Sequence, residues 1–455
     1  MPLAPCHVPG YHPRDATESV LHGVVQAELE PFLAAARAAE VALPPCVEAE
    51  LRAFLRCGVL ACGFGRARCV ACGFDRLVPF SCKRRGVCSS CGGRRMSETA
   101  AEQVARLWPE VPVRQWVLSL PWALRLPVAR DPVLLTKVAR IFFEAVRAHL
   151  RAKVAVGEGT GDEGARREIG AVTFVQRFGG ALSLNHHMHV LVADGVFLCR
   201  EDGSTPRFVP TPAPTRSELA AVLREVAARV ARIRTVREDD GLDALRDAAA
   251  GRGRFARVEE AGDEGVAPTR KREEEEGVRR GAGVEFGGFN VHAGVRVEED
   301  DRAGLERPCR YVARTAVCGE RVEPLEDGSV AYRLKVRRRG GETHRVMQPQ
   351  EFMGCLVALI APPRYPLVRY HGVFAPNSPW RGAIVPGPRR LHHRDRGRTR
   401  ASVARCAAAG AGGASKPRAV FDPLGLGHAA ATRVGGRRPR VPALRRSDAL
   451  RRRHP

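Results

Sequence analysis

Residues 181–193, Ala-Leu-Ser-Leu-Asn-His-His-Met-His-Val-Leu-Val-Ala, alternate so regularly that a strand is the conformation that gives them one apolar face. Leu182, Leu184, Met188, Val190 and Val192 fall on that face, while His187 and His189 stand side by side on the other. Two imidazoles one strand repeat apart can share a divalent ion, and histidine is the commonest metal ligand at neutral pH. The competing reading is a pair of half-exposed histidines on a sheet surface, and so short a triplet does not decide alone. Asp194-Gly195 then supplies a turn signal that ends the strand.

Upstream lies a cysteine cluster. Cys69-Val-Ala-Cys72 and Cys88-Ser-Ser-Cys91 are two Cys-x-x-Cys knuckles with 15 residues between them, a spacing that predicts one four-thiolate zinc site. Cys57, Cys62 and Cys82 share the region; any of them could complete a second site or replace a ligand, with Cys82 the secondary candidate. Met-Pro-Leu-Ala-Pro-Cys at the start is no basic region followed by an apolar run, so zinc is favoured over a disulfide framework. Lys83, Arg84, Arg85, Arg94 and Arg95 flank the knuckles and are candidates for phosphate contacts; a solvated charged surface is the alternative.

Charge sharpens this reading and limits it. The 455 residues carry a net +24, but residues 388–455 hold 18 Lys+Arg against 3 Asp+Glu and so supply most of the excess. That Arg-rich tail suits non-specific nucleic-acid contact or plain disorder. No run approaches the roughly 18 apolar residues of a membrane span, so a soluble, cytoplasmic chain is expected, associated with the bacterial nucleoid when bound to DNA.

The remaining patterns set an architecture. Residues 16–56 read as helical, and Ser97 is placed as the cap of a helix to about Leu107. Residues 113–120 form a strand stopped by Pro121, and Asp131-Pro132 opens an amphipathic helix to about Val154. A strand over 171–178 is joined to the histidine strand by Gly179-Gly180, a two-residue hairpin signal. A helix over 216–236, a mobile insert over 258–282, a strand over 289–297 and a short helix over 300–315 follow. A hairpin near Asp327, a helix over 349–360 and a terminal segment from Tyr370 to Trp380 complete the ordered part. In the strand 289–297, Asn290, His292 and Arg296 share the polar face. This order predicts an α+β fold: a helical and zinc-binding module over 12–107, an antiparallel sheet backed by helices over 110–385, and the tail over 388–455.

The chain resembles the rolling-circle insertion-sequence transposases of the HUH superfamily that carry an N-terminal zinc-binding domain, the IS91 group. The matching stretches are Phe54-Leu-Arg-Cys-Gly-Val-Leu60, Phe80-Ser-Cys-Lys-Arg-Arg-Gly-Val-Cys88, Gln115-Trp-Val-Leu-Ser-Leu-Pro121 and Val175-Gln-Arg-Phe178. Leu184-Asn-His-His-Met-His189, His292-Ala-Gly294, Cys309-Arg-Tyr311 and Tyr370-His-Gly-Val-Phe-Ala-Pro-Asn377 continue the series in unbroken order. The resemblance implies a DNA transposase that cleaves single-stranded DNA at transposon ends and transfers it to target DNA. His187 and His189 would hold Mg or Mn, structural Zn would sit in the cysteine module, and Tyr311 would attack through a 5′-phosphotyrosine intermediate. Arg310 and Arg314 flank Tyr311 and join the DNA-binding candidates.

Individual residues carry local expectations. Pro308, three before Tyr311, is expected to kink or restart its helix. His186 falls on the apolar face, where an imidazole is awkward to bury unpaired. A third metal ligand is not given by the triplet. A two-residue turn would set Gln176 opposite Ser183, about 13 Å along the strand from His187, so His292 is the better candidate. Two functions stay open: an active transposase, or a zinc-bearing DNA-binding protein that retains the fold without catalysis. Deleting residues 388–455 is expected to weaken binding to mixed-sequence DNA about tenfold or more at low salt and to flatten its salt dependence. Anisotropy titrations at several salt concentrations check this, and the cleavage position on a single strand should not move.

Overall fold

The computed structural model describes residues 16–70, 72–155, 164–233, 254–256, 283–338, 340–365 and 367–387; the expected insert and tail lie outside them. Of the described residues, 64–78 form one unit and the rest form another. The first is a two-stranded hairpin, β1 (Phe64–Arg68) and β2 (Asp75–Pro79), with Arg66 paired to Asp75 across it.

The larger unit opens with α1 (Val20–Ala38) and α2 (Pro45–Leu55). The single helical run read from the sequence is split over 39–44: α1 ends in a turn where Glu40 takes φ +55° and Val41 N–H donates to the Ala36 carbonyl at 2.9 Å, and Pro45 suits the first position of α2. α3 (Ser89–Arg106) starts eight residues before Ser97. Its cap is Cys88, whose Sγ accepts from the Cys91 amide at 3.5 Å. A cysteine in extended backbone does here what a serine does elsewhere, and that is why the Ser97 cap misses the true start.

A six-stranded antiparallel sheet forms the centre. Its order is β10 (Gly283–Phe286), β11 (Phe289–Val297), β3 (Val113–Ser119), β6 (Leu184–Ala193), β5 (Gly170–Phe178) and β15 (Val368–Gly372). Trp116, Leu118, Met188, Val190 and Val192 bury one face with α4 (Trp122–Arg130), α5 (Pro132–Ala152) and α6 (Arg216–Ala231). As the Asp131-Pro132 signal predicts, Asp131 Oδ1 caps α5 by accepting from the Val133 amide at 2.7 Å. The opposite face carries Val113, Phe174 and Leu191 and meets α3 and α7 (Arg302–Val312) through Ala100, Leu305 and Cys309. The result is the α+β arrangement read from the sequence, with helices on both faces of the sheet.

Two irregularities decide which side chains meet. The link between β5 and β6 is not a two-residue turn: Gly179 N–H donates to the Ser183 carbonyl at 2.8 Å, Leu182 takes φ +56°, and β6 begins only at Leu184. Gln176 therefore pairs with His187 rather than Ser183, and Phe174 pairs with His189. In β11 a bulge between His292 and Val295 shifts the alternation. His292 stays on the face of His189, but Arg296 pairs with Arg114 and turns to the opposite face. There Asp194 accepts two bonds from Arg114, both at 2.7 Å, and one from Arg296 at 2.8 Å. Asp194 is 1% exposed, so it is a buried clamp across β11, β3 and β6 rather than a surface turn residue.

Two smaller sheets follow, β4 (Arg166–Glu168) with β7 (Gly195–Cys199) and β8 (Arg207–Pro210), and β12 (Val322–Pro324) with β13 (Val330–Arg333), β14 (His344–Met347) and β9 (Arg254–Ala256). α8 (Pro349–Leu359) packs with α1, α2, Cys57, Cys88, Val317 and Val322 in one core. The N-terminal helices and the chain after α7 thus share their interior. α3 also closes on the residues after α7: a Cβ at Gly92 would lie 2.2 Å from Thr315 Cγ2. Gly92→Ala is expected to cost about 1–3 kcal/mol in chemical denaturation, and Thr315→Ala in the same chain should recover part of the loss.

Candidate metal and nucleophile site

Four sulfurs converge in the larger unit. The ligand atoms of Cys57, Cys82, Cys88 and Cys91 all lie within 4.8 Å of one another, and Cys57–Cys88, Cys57–Cys91 and Cys82–Cys91 are each 3.6 Å apart. Spacing pointed to Cys69 and Cys72 in place of Cys57 and Cys82, and the structure corrects that set. Gly58 N–H donates to Phe80 O and Phe80 N–H to Gly63 O, both at 3.0 Å, so the chain leaving Cys57 and the chain reaching Cys82 are joined side by side. Cys82 N–H points at Cys57 Sγ, 3.2 Å away. Cys69 and Cys72 belong to the turn of the β1–β2 hairpin, where Cys69 N–H donates to Phe74 O at 2.8 Å. Nothing in a linear spacing tells that the excursion 64–78 is closed off at its base.

The thiols of the cluster perturb one another. Hydrogen bonds from Cys82 and Cys88 hold Cys57 far below the usual thiol range, toward thiolate, while bonding to Cys57 pushes Cys82 and Cys88 up. Four converging sulfurs are the donor set of a closed tetrahedral zinc site. Of the basic candidates, Lys83, Arg84, Arg85 and Arg94 are exposed, whereas Arg95 donates to the carbonyls of Lys83 (2.8 Å) and Arg84 (3.2 Å).

On the sheet, His187 and His189 project together from β6 with ring centroids 4.9 Å apart. The Tyr311 ring stands edge-on to His189 at 5.5 Å, carried there by α7, which runs through Pro308 without interruption. The restart expected at Pro308 does not occur: the helix is continuous over Arg302–Val312, Pro308 is buried within it, and Asp301 caps it by accepting from Gly304 N at 2.6 Å. Arg314 lies over the Tyr311 ring at 4.5 Å and Lys335 at 5.4 Å. Arg310 turns away to Ser97 Oγ (2.9 Å) and Glu306 (3.4 Å).

Gln176 ties these groups together. Its amide nitrogen donates to the carbonyls of Tyr311 (2.9 Å) and Val312 (3.1 Å), which fixes the amide's orientation. Its Oε1 accepts from Arg314 Nε at 3.2 Å and lies 3.0 Å from His187 Nε2. The other ring nitrogen of His187 is 2.9 Å from the Asn185 carbonyl. Burial pushes the His187 pKa down to about 4, so the ring is neutral at pH 7 and has a single N–H. One of its nitrogens therefore presents a lone pair to an oxygen, an arrangement a cation relieves.

His189, also held neutral by burial, has Nδ1 2.7 Å from the Gln115 amide nitrogen, and its buried Nε2 has no hydrogen-bond partner. Turning the Gln115 amide over would place its oxygen on Nδ1–H and leave the Nε2 lone pair for a metal. His187 Nε2 and Gln176 Oε1, 3.0 Å apart, and the unpartnered His189 Nε2 are thus the donor atoms that could hold a divalent ion. His292 sits opposite Val117, which sits opposite His189, so it lies two strands away, about 10 Å by strand spacing. The structure places Gln176, not His292, beside the pair. His186 is wholly buried on the opposite face, its Nε2 3.4 Å from Tyr365 Oη, and burial keeps it neutral. Tyr370 is on the edge strand β15, opposite Val172, under Arg381.

Comparison with known proteins gives the context for this site. A family model described as "Putative transposase" matches residues 170–380, and one described as "Transposase zinc-binding domain" matches residues 28–120. The chain belongs to the transposases with an N-terminal zinc-binding domain, the IS91 type. That family processes DNA, and the four-cysteine cluster lies inside the zinc-binding match. No curated protein and no solved structure matches the chain. Among the described residues, no helix is long and apolar enough to cross a membrane.

Metal content distinguishes the two cysteine sets. Cys57→Ser and Cys82→Ser should each strip bound zinc from protein purified in reducing buffer, whereas Cys69→Ser should keep about one equivalent. Zinc retained by Cys57→Ser but lost by Cys69→Ser would restore the set read from spacing.

Proposed function

We propose that this transposase cuts and rejoins single-stranded DNA at element ends by nucleophilic attack of Tyr311. The observation that carries the reading is the placement of one tyrosine ring against His189, with Gln176 binding the tyrosine's own backbone carbonyl and facing His187. In the reaction, Tyr311 Oη forms a bond to the scissile phosphorus and the bond to the 3′-oxygen breaks. The products are a 5′-phosphotyrosine and a free 3′-hydroxyl. The phenol proton leaves to solvent and the departing 3′-oxygen takes one up. Attack by a 3′-hydroxyl on the phosphotyrosine reverses the exchange and joins the strand to its target.

His187, His189 and Gln176 would hold Mg or Mn, which when bound neutralises charge on the phosphate. The chain's own residues supply the orientation. Gln176 couples the metal ligands to the C-terminal end of α7, so the nucleophile and the histidines keep a fixed relation. Arg314, lying over Tyr311 and bonded to Gln176, and Lys335 on the same ring place positive charge where the phosphate would arrive. The zinc cluster would serve structure, with Lys83, Arg84, Arg85 and Arg94 exposed nearby in sequence for DNA contact.

The test is covalent trapping. With Mg or Mn and a single strand carrying the element's own terminus, the wild-type chain should migrate as a protein–DNA adduct on a denaturing gel. Tyr311→Phe should abolish the adduct with little change in DNA affinity, and His187→Ala or Gln176→Leu should lower its rate at least about 100-fold. An adduct from Tyr311→Phe would pass the assignment to Tyr370. No adduct from folded, zinc-loaded wild type would favour the second reading, a non-catalytic zinc-bearing DNA-binding protein on a transposase fold.

A further inference from the structure

A cavity of about 490 Å³ opens beside Gln176 and Arg314, walled by the first half of α3, the end of β5, the residues after α7 and the segment that follows α8. Its size is that of a small-molecule site. Five arginines line it, Arg85, Arg95, Arg177, Arg314 and Arg364, and no carboxylate does. The rest of the wall is largely apolar, with Phe174, Phe178, Leu359 and Leu367 among it.

The arginines are not equivalent. Arg177 is spent inside the fold: its guanidinium donates to the carbonyls of Ala129 (3.0 Å) and Ala358 (3.1 Å) and lies over Tyr365 at 4.7 Å. Arg95 is held by the backbone of residues 83 and 84. Arg85 and Arg364 are exposed at the rim, and Arg364 stands at φ +60°, a left-handed backbone uncommon for a residue with a long side chain. Arg314 belongs to both places. It lies over the ring of Tyr311 at 4.5 Å and over that of Phe178, a wall of the cavity, at 5.1 Å.

A ligand that satisfies this lining has an anionic part for the rim and a flat apolar part for the interior. We infer that the cavity receives the nucleotide adjoining the scissile phosphate, its phosphate at Arg85 and Arg364 and its base against Phe178 and Leu367. This rests on the reading of Tyr311 as the nucleophile, because Arg314 is the link that makes the two sites neighbours on one strand. Base stacking on an aromatic wall accepts any base, so the subsite holds the strand in register without choosing its sequence.

Full-length, zinc-loaded protein with Mg is titrated with a 12-nucleotide oligothymidylate and with a 12-mer of the same length made entirely of abasic residues. Wild type should bind the oligothymidylate at least fivefold more tightly, and UV cross-linking of its 4-thiothymidine form should label peptides containing Phe178 or Leu367. Arg364→Glu, an exposed change, should weaken oligothymidylate binding about five- to tenfold and reduce the salt slope by about one. Equal affinity for the abasic strand, or cross-links only outside the cavity, would overturn the inference. Displacement by millimolar inorganic phosphate as complete as by thymidine monophosphate would also overturn it, showing an anion site without a base slot. Covalent trapping is scored separately: loss of the adduct with the Arg364→Glu and cross-linking effects intact removes the tyrosine assignment and leaves the subsite standing.

Discussion

The pairing of β6 between β3 and β5 sets everything that follows at the sheet. Cross-strand neighbours point to the same face, so the register alone decides which residues accompany the two histidines. Gln115 on β3 and Gln176 on β5 flank them, and Gln176 then reaches out of the sheet plane to the end of α7. A slip of one residue would exchange Met188 with the histidines between the two packed faces and part the histidines from Gln115 and Gln176. The Asp194 clamp across three strands opposes that slip, since its carboxylate is buried and any shift would leave a charge without its arginines.

The second organising feature is the way α3 belongs to two neighbourhoods. Its cap and first turn carry Cys88 and Cys91 of the sulfur cluster, and its later turns cover the sheet beside α7. Ser97 on this helix meets Arg310, and Gly92 makes room for Thr315 just past Tyr311. The cysteine cluster and the tyrosine helix therefore lean on the same rigid element.

Much of this was legible in the residues. The apolar alternation of 181–193, the Asp131-Pro132 helix start and the clean strand 289–297 each rest on local signals, and each is found in place. What escaped had non-local causes. The loop after Phe178 contains Gly-Gly, which reads as a two-residue turn, but Leu182 adopts a left-handed backbone and the loop spans five residues. That displacement moved Gln176 from opposite Ser183 to opposite His187. The bulge after His292 likewise turned Arg296 over. For the cysteines, two tidy knuckles outweighed isolated Cys57 and Cys82, whose nearness depends on hydrogen bonds between chain segments more than twenty residues apart.

The paired backbone at Gly58, Gly63 and Phe80 has a further implication for how such a chain can change over time. It closes the base of the excursion 64–78, so the sulfur cluster is assembled entirely from residues outside that hairpin. Insertions, deletions or wholesale replacement there leave the cluster and α3 with their contacts intact. The hairpin, bearing Phe64, Arg66, Arg68, Phe74 and Arg76 on a short two-stranded stalk, is the part of the N-terminal region that can vary in sequence and length without touching any of the four sulfurs.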